Sequence, residues 1–300
     1  MSANVVDPLA PSFSTPPLEL VIRPRRGWIA IDWAEMVRYR ELLYFLIWRD
    51  VKVRYKQTVL GFALAVIQPL LNALIAAVIF GSAAGFQKLL PTDVPYLLFS
   101  FVGQLPWQLF ATGLSMGGMS LMNQQSLLTK IYFPRLFLPT SSVGGALVDF
   151  LISFSVMGAF MIVYHFSHYH FTPSWSLLLM PLLIIPTAIA ALGVAYLLSA
   201  VTVVYRDFRF LIPFMSQIWM QVSFVMLPRE LIIQHSRYAG YEWILALNPM
   251  YGIIESYRHL VLKMSWNPMH LVIGTLVACT MCIVGMFYFR KTERRFADIA

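Results

Sequence analysis

Six long apolar stretches divide the chain, at about residues 57–82, 95–116, 136–164, 176–204, 210–227 and 269–289. Each reaches the roughly 18 residues that read as a membrane span; the fifth is the shortest. None alternates polar and apolar residues with the period of barrel strands, and unpaired backbone cannot sit in hydrocarbon, so each segment is expected to be helical. The pattern predicts an all-α membrane protein with six transmembrane helices.

Two further elements flank these stretches. Asp32 followed by Glu35 has capping-box spacing. A helix from there to about Lys56 would place Trp33, Val37, Tyr44, Trp48, Val51 and Tyr55 within one sector and Arg38, Arg49, Lys52 and Lys56 in another, although Leu42 to Trp48 is apolar all round. Such an aromatic and basic helix is expected to lie in the membrane interface. Between the fifth and sixth stretches, Asn248-Pro249 is a helix start, with Asn as cap and Pro at the first helical position. The 13 or so residues that follow, to Leu262, are too few to cross a bilayer and suit a re-entrant helix at the outer mouth of a pathway. On its polar side Glu255 is three residues from Arg258 and four from His259, so local pairing is available.

Composition agrees with the pattern: 59% of the 300 residues are hydrophobic and 12% charged, about half the charge of a soluble globular protein. The 22 Lys and Arg against 14 Asp and Glu leave a net +8. Counted along the chain, 9 cations precede the first span, successive loops hold 1, 2, 0, 2 and 4, and 4 follow the last. With six spans both termini share one side, which carries 17 of the 22 cations, so that side is assigned to the cytoplasm by the positive-inside rule. The surplus is therefore a topology signal, not a mark of nucleic-acid binding. The expected organisation is a disordered cytoplasmic tail at 1–26, rich in proline; an interface helix at 27–56; a six-span domain at 57–290 containing the re-entrant segment 228–262; and a cytoplasmic tail at 291–300.

Catalytic chemistry is not in evidence. The chain has no P-loop, no Gly-Lys dipeptide, no G-x-S-x-G, no H-E-x-x-H and no paired carboxylates. Cys279 and Cys282 have C-x-x-C spacing but lie inside the last apolar run, where they read as small apolar residues. His165, His168 and His170 crowd one outer loop without an acidic or thiol partner nearby, so no metal is expected. Asp149 is the one acidic residue deep within a span, where a charge costs about 2.5 to 3.5 kcal/mol. The spans hold no Lys or Arg to pair it, but they do hold amides, Gln68, Asn72, Gln104, Gln108, Gln217 and Gln221. It is expected either to hydrogen-bond one of these or to face a wet lumen. Trp107, Phe110 and Trp219 are intramembrane aromatics suited to stacking on sugar rings, or to packing and lipid contact. Gly81/Gly85 and Gly113/Gly117 have the spacing of close helix contacts.

The segment WRDVKVRYKQTVLGFALAVIQPL, Trp48 to Leu70, resembles the ABC-2 type polysaccharide-export permeases, the transmembrane subunits of O-antigen, capsule and teichoic-acid ABC exporters. LTKIYFPR (Leu128 to Arg135), VVYRDFR (Val203 to Arg209) and LNPMYGIIESYRHLVL (Leu247 to Leu262) are similar to that family in order and spacing, and the likeness covers about residues 27–290. It implies a homodimeric channel in the bacterial inner membrane with two separate ATP-binding subunits beneath it, which supply ATP and Mg while this chain carries no cofactor. It also implies a lipid-linked glycan as substrate. Lys130, Tyr132, Arg135, Arg206, Asp207 and Arg209 then fall where such permeases couple to the ATPase, and Asn248, Pro249, Glu255 and Arg258 where they gate the outer side. Arg49, Lys52, Arg54 and Lys56 would guide the pyrophosphate of the lipid carrier, with Trp107, Phe110, Trp219 and Asp149 as candidate channel lining. An exporter of a small molecule or lipid, and an ion-driven secondary carrier, are the competing readings.

Overall fold

A computed structural model describes residues 33–56, 59–91, 94–128, 133–166, 175–233 and 239–293. The expectations for the tail before residue 33, for Lys130 and Tyr132, for His168 and His170, and for residues 294–300 lie outside the described residues, as do the side chains of Lys56 and His165. All regular structure among the described residues is helical.

The interface element is two helices, α1 (Trp33–Arg38) and α2 (Arg40–Lys56), broken at Tyr39. Helix α3 (Val59–Ala76) continues into a π-helical segment, Ala77–Ala83. Helix α4 (Tyr96–Thr112) likewise passes into π-helical Gly113–Gly117, and short α5 (Ser120–Asn123) and α6 (Gln125–Leu128) follow. Then come α7 (Phe137–Phe166), a 3₁₀ stretch Trp175–Leu183 leading into α8 (Ile184–Val204), and α9 (Phe208–Val222). The chain closes with α10 (Glu230–Ile233), α11 (Glu242–Ala246), α12 (Pro249–Leu262) and α13 (Pro268–Glu293).

Among the described residues, five segments are long and apolar enough to cross a membrane: Val66–Ala83, Tyr96–Gly117, Phe137–Tyr164, Ser176–Val204 and Pro268–Glu293. The fifth apolar stretch of the sequence forms a shorter helix. Hydropathy runs on to residue 227, but α9 stops after 15 residues at Val222. Phe224 is left-handed (φ 54°), and the carbonyls of Phe224 and Val225 are taken by a side chain from α12.

The second of these segments is the pillar. Most residues of Tyr96–Gly117 are buried and few of Pro268–Glu293 are, so α4 sits among the other helices while α13 shows most of its surface to the surroundings. That surface is apolar, with Val272, Leu276, Ile283 and Val284 all more than half exposed. Water would not tolerate so large a patch, whereas a bilayer stabilises it. Small residues set the closest packing. Gly113 and Gly117 lie against Ala191 and Ala195 of α8, and a Cβ on Gly193 or Gly285 would come within 2.7 and 2.5 Å of backbone across the α8–α13 contact. Of the first glycine pair, Gly81 lies against Tyr96 at the start of α4, whereas Gly85 has open space and a positive φ of 74°, so one of the two sits at a close helix contact and the other does not.

The two ends of the bundle are distinguishable. At one, Arg135 beside the start of α7 donates to the Glu293 carbonyl at the end of α13 (3.0 Å). At the other, α12 packs on the start of α13, with Gly252 against the His270 carbonyl.

Candidate functional site

At the α7 N-terminal end, α2 lies along the helix. Leu46 is buried with Phe133, Leu136 and Phe137, and Ile47 presses onto Gly144, where a Cβ would lie 2.6 Å from its Cδ1. The opposite side of α2 stays open: Val37 on α1, Tyr44 and Trp48 are 54–62% exposed. This explains why residues 42–48 are apolar all round. One side packs on the bundle and the other meets no protein partner among the described residues.

Polar contacts follow along the same pair of helices. Arg49 donates to Asp50 (2.7 Å) and to Gln124 Oε1 (2.8 Å), and the Ser141 hydroxyl donates to Asp50 at 3.4 Å. Further on, Arg54 Nη1 donates to Asp149 Oδ2, and the Tyr55 hydroxyl donates to Asp149 Oδ1. The partner of the intramembrane carboxylate is therefore neither a span amide nor a lumen alone; it is a cation delivered from α2. Burial first, then the hydrogen bond to Asp149 and its charge, push the Tyr55 hydroxyl above its ordinary value, so it remains a proton donor. The expected basic group is not one free patch, since Arg49 and Arg54 each hold a carboxylate while Lys52 is exposed.

The opposite end is organised by α12. Asn248 accepts from the Met250 N–H (3.1 Å), with Pro249 at the first helical position. Its carbonyl oxygen also accepts from Trp219 Nε1 (3.0 Å), and its amide donates to the Ser223 hydroxyl (2.9 Å), so the cap of one helix fastens the end of another. Glu255 and Arg258 pair at 3.1 Å, whereas His259 instead contacts the Met264 carbonyl (2.8 Å) and stacks on Trp266. Arg258 is fully buried. It donates to the carbonyls of Phe224 (3.0 Å), Val225 (2.6 Å) and Leu227 (3.4 Å) and lies 3.7 Å over the Phe99 ring. These are carbonyls with no intrahelical donor just past the α9 C-terminus, where a cation is also favoured by the helix dipole. Gly103 makes room, since a Cβ there would lie 2.8 Å from Arg258 Nη2.

A second ion pair there was not anticipated. Arg229 binds both Glu242 oxygens, and the Tyr251 hydroxyl donates to Glu242 at 3.1 Å, with His270 Nδ1 at 3.9 Å. Burial pushes the Glu242 carboxyl up, but the Arg229 hydrogen bond and charge, then Tyr251 and His270, outweigh it and hold the carboxyl below its ordinary value. Nothing local in the sequence pairs residues 229, 242, 251 and 270.

The aromatic candidates form one row across α4 and α9: Trp107 to Phe110 at 5.4 Å between ring centroids, and Phe110 to Trp219 at 4.9 Å, edge to face. Trp107 and Phe110 are 3% and 0% exposed, so they are packed inside this chain and present almost no surface to a lumen; Trp219 is half-buried. At the α7 N-terminal end, Arg206 and Asp207 lie on an exposed turn between α8 and α9, and Arg209 is exposed in the first turn of α9, 4.7 Å over the Phe210 ring.

A multi-pass helical bundle with a buried polar network at one end and an exposed basic turn at the other has the build of a membrane transport subunit. The sequence model of the ABC-2 type transporter family matches residues 41–262, and the chain belongs to that family: it is a membrane transport subunit and not the ATPase. Among named proteins, it is 30% identical over 225 residues to the O-antigen export system permease protein RfbA of Myxococcus xanthus, covering 75% of this chain and 81% of that protein. It is 28% identical to a Klebsiella pneumoniae protein of the same name, over 86% of this chain and 95% of the relative.

Proposed function

We propose that the chain is the transmembrane subunit of an ATP-driven exporter that carries a lipid-linked O-antigen polysaccharide across the bacterial inner membrane. The observation that carries this reading beyond the family likeness is the exposed face of α9. Phe210, Phe214, Gln217 and Gln221 share it, all exposed. Amides are costly against lipid tails, while aromatic rings interleaved with amides suit sugar rings and hydroxyls in a wet passage. A face of this kind calls for a second copy of the chain, so that a channel forms between two protomers. A polymer longer than the membrane is thick cannot be enclosed in a pocket, so transport is processive, with many weak contacts to the glycan.

In this reading α9 completes a sixth crossing with the residues after it, α11 and α12 form the re-entrant outer gate, and both termini are cytoplasmic. Asn248, Pro249, Glu255 and Arg258 fasten that gate. Arg135 and the Arg206, Asp207 and Arg209 turn, together with Lys130 and Tyr132, meet two separate ATP-binding subunits. Exposed Lys52, with Arg49, Arg54 and Lys56, guides the carrier's diphosphate. Trp219 is the aromatic candidate that retains exposure for a lining role.

Deletion of the chain tests the proposal. A lipid-linked polymer should accumulate inside the cell while the surface glycan disappears, and inactivating the copurifying ATPase should give the same result. A normal surface glycan with no intracellular pool would refute it.

A further inference from the structure

Two arginine–carboxylate pairs in this chain are built in opposite ways. Arg258 is 0% exposed and both its terminal nitrogens hold carbonyl or carboxylate oxygens, which is the construction of a permanent strut. Arg54 is 27% exposed. Its Nη1 is on Asp149, but the contact of its Nη2 is the thioether sulfur of Met116 at 3.9 Å, a weak acceptor. Half of the planar donor fork is thus engaged and half is open. That fork matches phosphate oxygens in bidentate fashion.

Asp149 is also served twice. When Arg54 turns away, the Tyr55 hydroxyl remains on Oδ1, so the carboxylate is not left wholly unpaired in a place where an isolated charge is costly. The pair joins α2 to α7 across 95 residues of sequence, and its release would free the end of α2 beside the first span.

We infer that Asp149 is an internal counter-ion that competes with the diphosphate of the lipid carrier for Arg54, so that Arg54 exchanges between Asp149 in the empty transporter and the substrate headgroup in the loaded one. This rests on the proposed function for the identity of the lipid, and adds that the span carboxylate regulates the site. The exchange requires the headgroup to bind the released arginine better than the paired one. Weakening the pair should therefore tighten binding, and strengthening it should loosen binding.

The test is equilibrium binding of a polyprenyl diphosphate to the full-length protein in nanodiscs, with thermal unfolding recorded for every variant. Asp149→Asn should bind about tenfold more tightly, the scale of one charge-assisted contact. Asp149→Glu should bind like the unaltered protein, and Arg54→Gln at least about tenfold more weakly. Tyr55→Phe should weaken binding, because Asp149 then depends wholly on Arg54. A purely structural pair would make every one of these variants weaker or leave it unchanged, so unchanged or weaker binding by Asp149→Asn overturns the inference. If Asp149→Asn does not fold, Asp149→Ser, which also removes the charge, decides by the same comparison, and binding no tighter than that of the unaltered protein overturns it. Equal binding of phosphatidylglycerol, or equal competition by inorganic pyrophosphate, overturns the assignment to a lipid diphosphate. Because the readout is binding and not export, its failure is separable from failure of the glycan-export reading.

Discussion

Replacing Arg258 by Ala would remove the side chain that holds α12 to the end of α9. Four oxygens lose their donor: the carbonyls of Phe224, Val225 and Leu227, and the Glu255 carboxylate, which is 5% exposed. Breaking a buried pair by deleting one partner costs about 3–5 kcal/mol, because the other charge is stranded, and each orphaned carbonyl that water cannot reach adds about 1–3 kcal/mol. A net stability of about 5–15 kcal/mol does not survive much of that. The single variant should therefore lose most of its folded fraction, read as thermal unfolding in detergent by size-exclusion with fluorescence detection. The discriminating variant is the double Glu255→Leu with Arg258→Met, which removes both charges and keeps volume. It should recover a large part of the loss, leaving the carbonyl cost. Arg258→Lys keeps the charge but cannot span three carbonyls and a carboxylate, so it should fall between. Unfolding of Arg258→Ala within a degree or two of the unaltered protein, or a double variant no better than the single, would refute this account of the strut.

Three other outcomes follow from the same contacts. Gly193→Val or Gly285→Val should separate α8 from α13, since the added Cβ would lie 2.7 or 2.5 Å from backbone; overpacking of this kind costs about 1–3 kcal/mol or more and is read as lost monodisperse protein. Glu242 is held below its ordinary value, so its pair with Arg229 contributes fully above about pH 4.5 and is lost as pH falls through the lowered value; Glu242→Gln should flatten the acid limb of a thermal-stability profile between pH 3 and 6, and an unchanged limb would count against it. Replacing Arg206, Asp207 and Arg209 together by Ala should leave folding intact, because the turn is exposed, while copurification of the ATP-binding subunit falls.

Hydropathy located most of the bundle. The expected stretches at 95–116, 136–164, 176–204 and 269–289 overlie Tyr96–Gly117, Phe137–Tyr164, Ser176–Val204 and Pro268–Glu293, because segment apolarity is a local property and needs no knowledge of neighbours. The start of α12 was legible for the same reason, since Asn248-Pro249 caps the helix it precedes. Where the outcome depended on a remote residue, the local signal failed. Residues 223–227 are apolar by composition, yet the helix ends at Val222 with Arg258 holding the carbonyls beyond it. Trp107 and Phe110 looked available to a lumen, but a helix as central as α4 buries almost every side chain it carries, whatever its type.

What the sequence determined alone is the class of molecule: helices long and apolar enough to cross a membrane and an asymmetry of cations, each a sum over local composition. Tertiary structure decided which charges meet. Asp149 has no cation within its own span, Phe137–Tyr164, and its pairing with Arg54 exists only because α2 packs along α7. A single chain of letters carries no record of that distance, since a buried charge states the need for a partner and only packing supplies it.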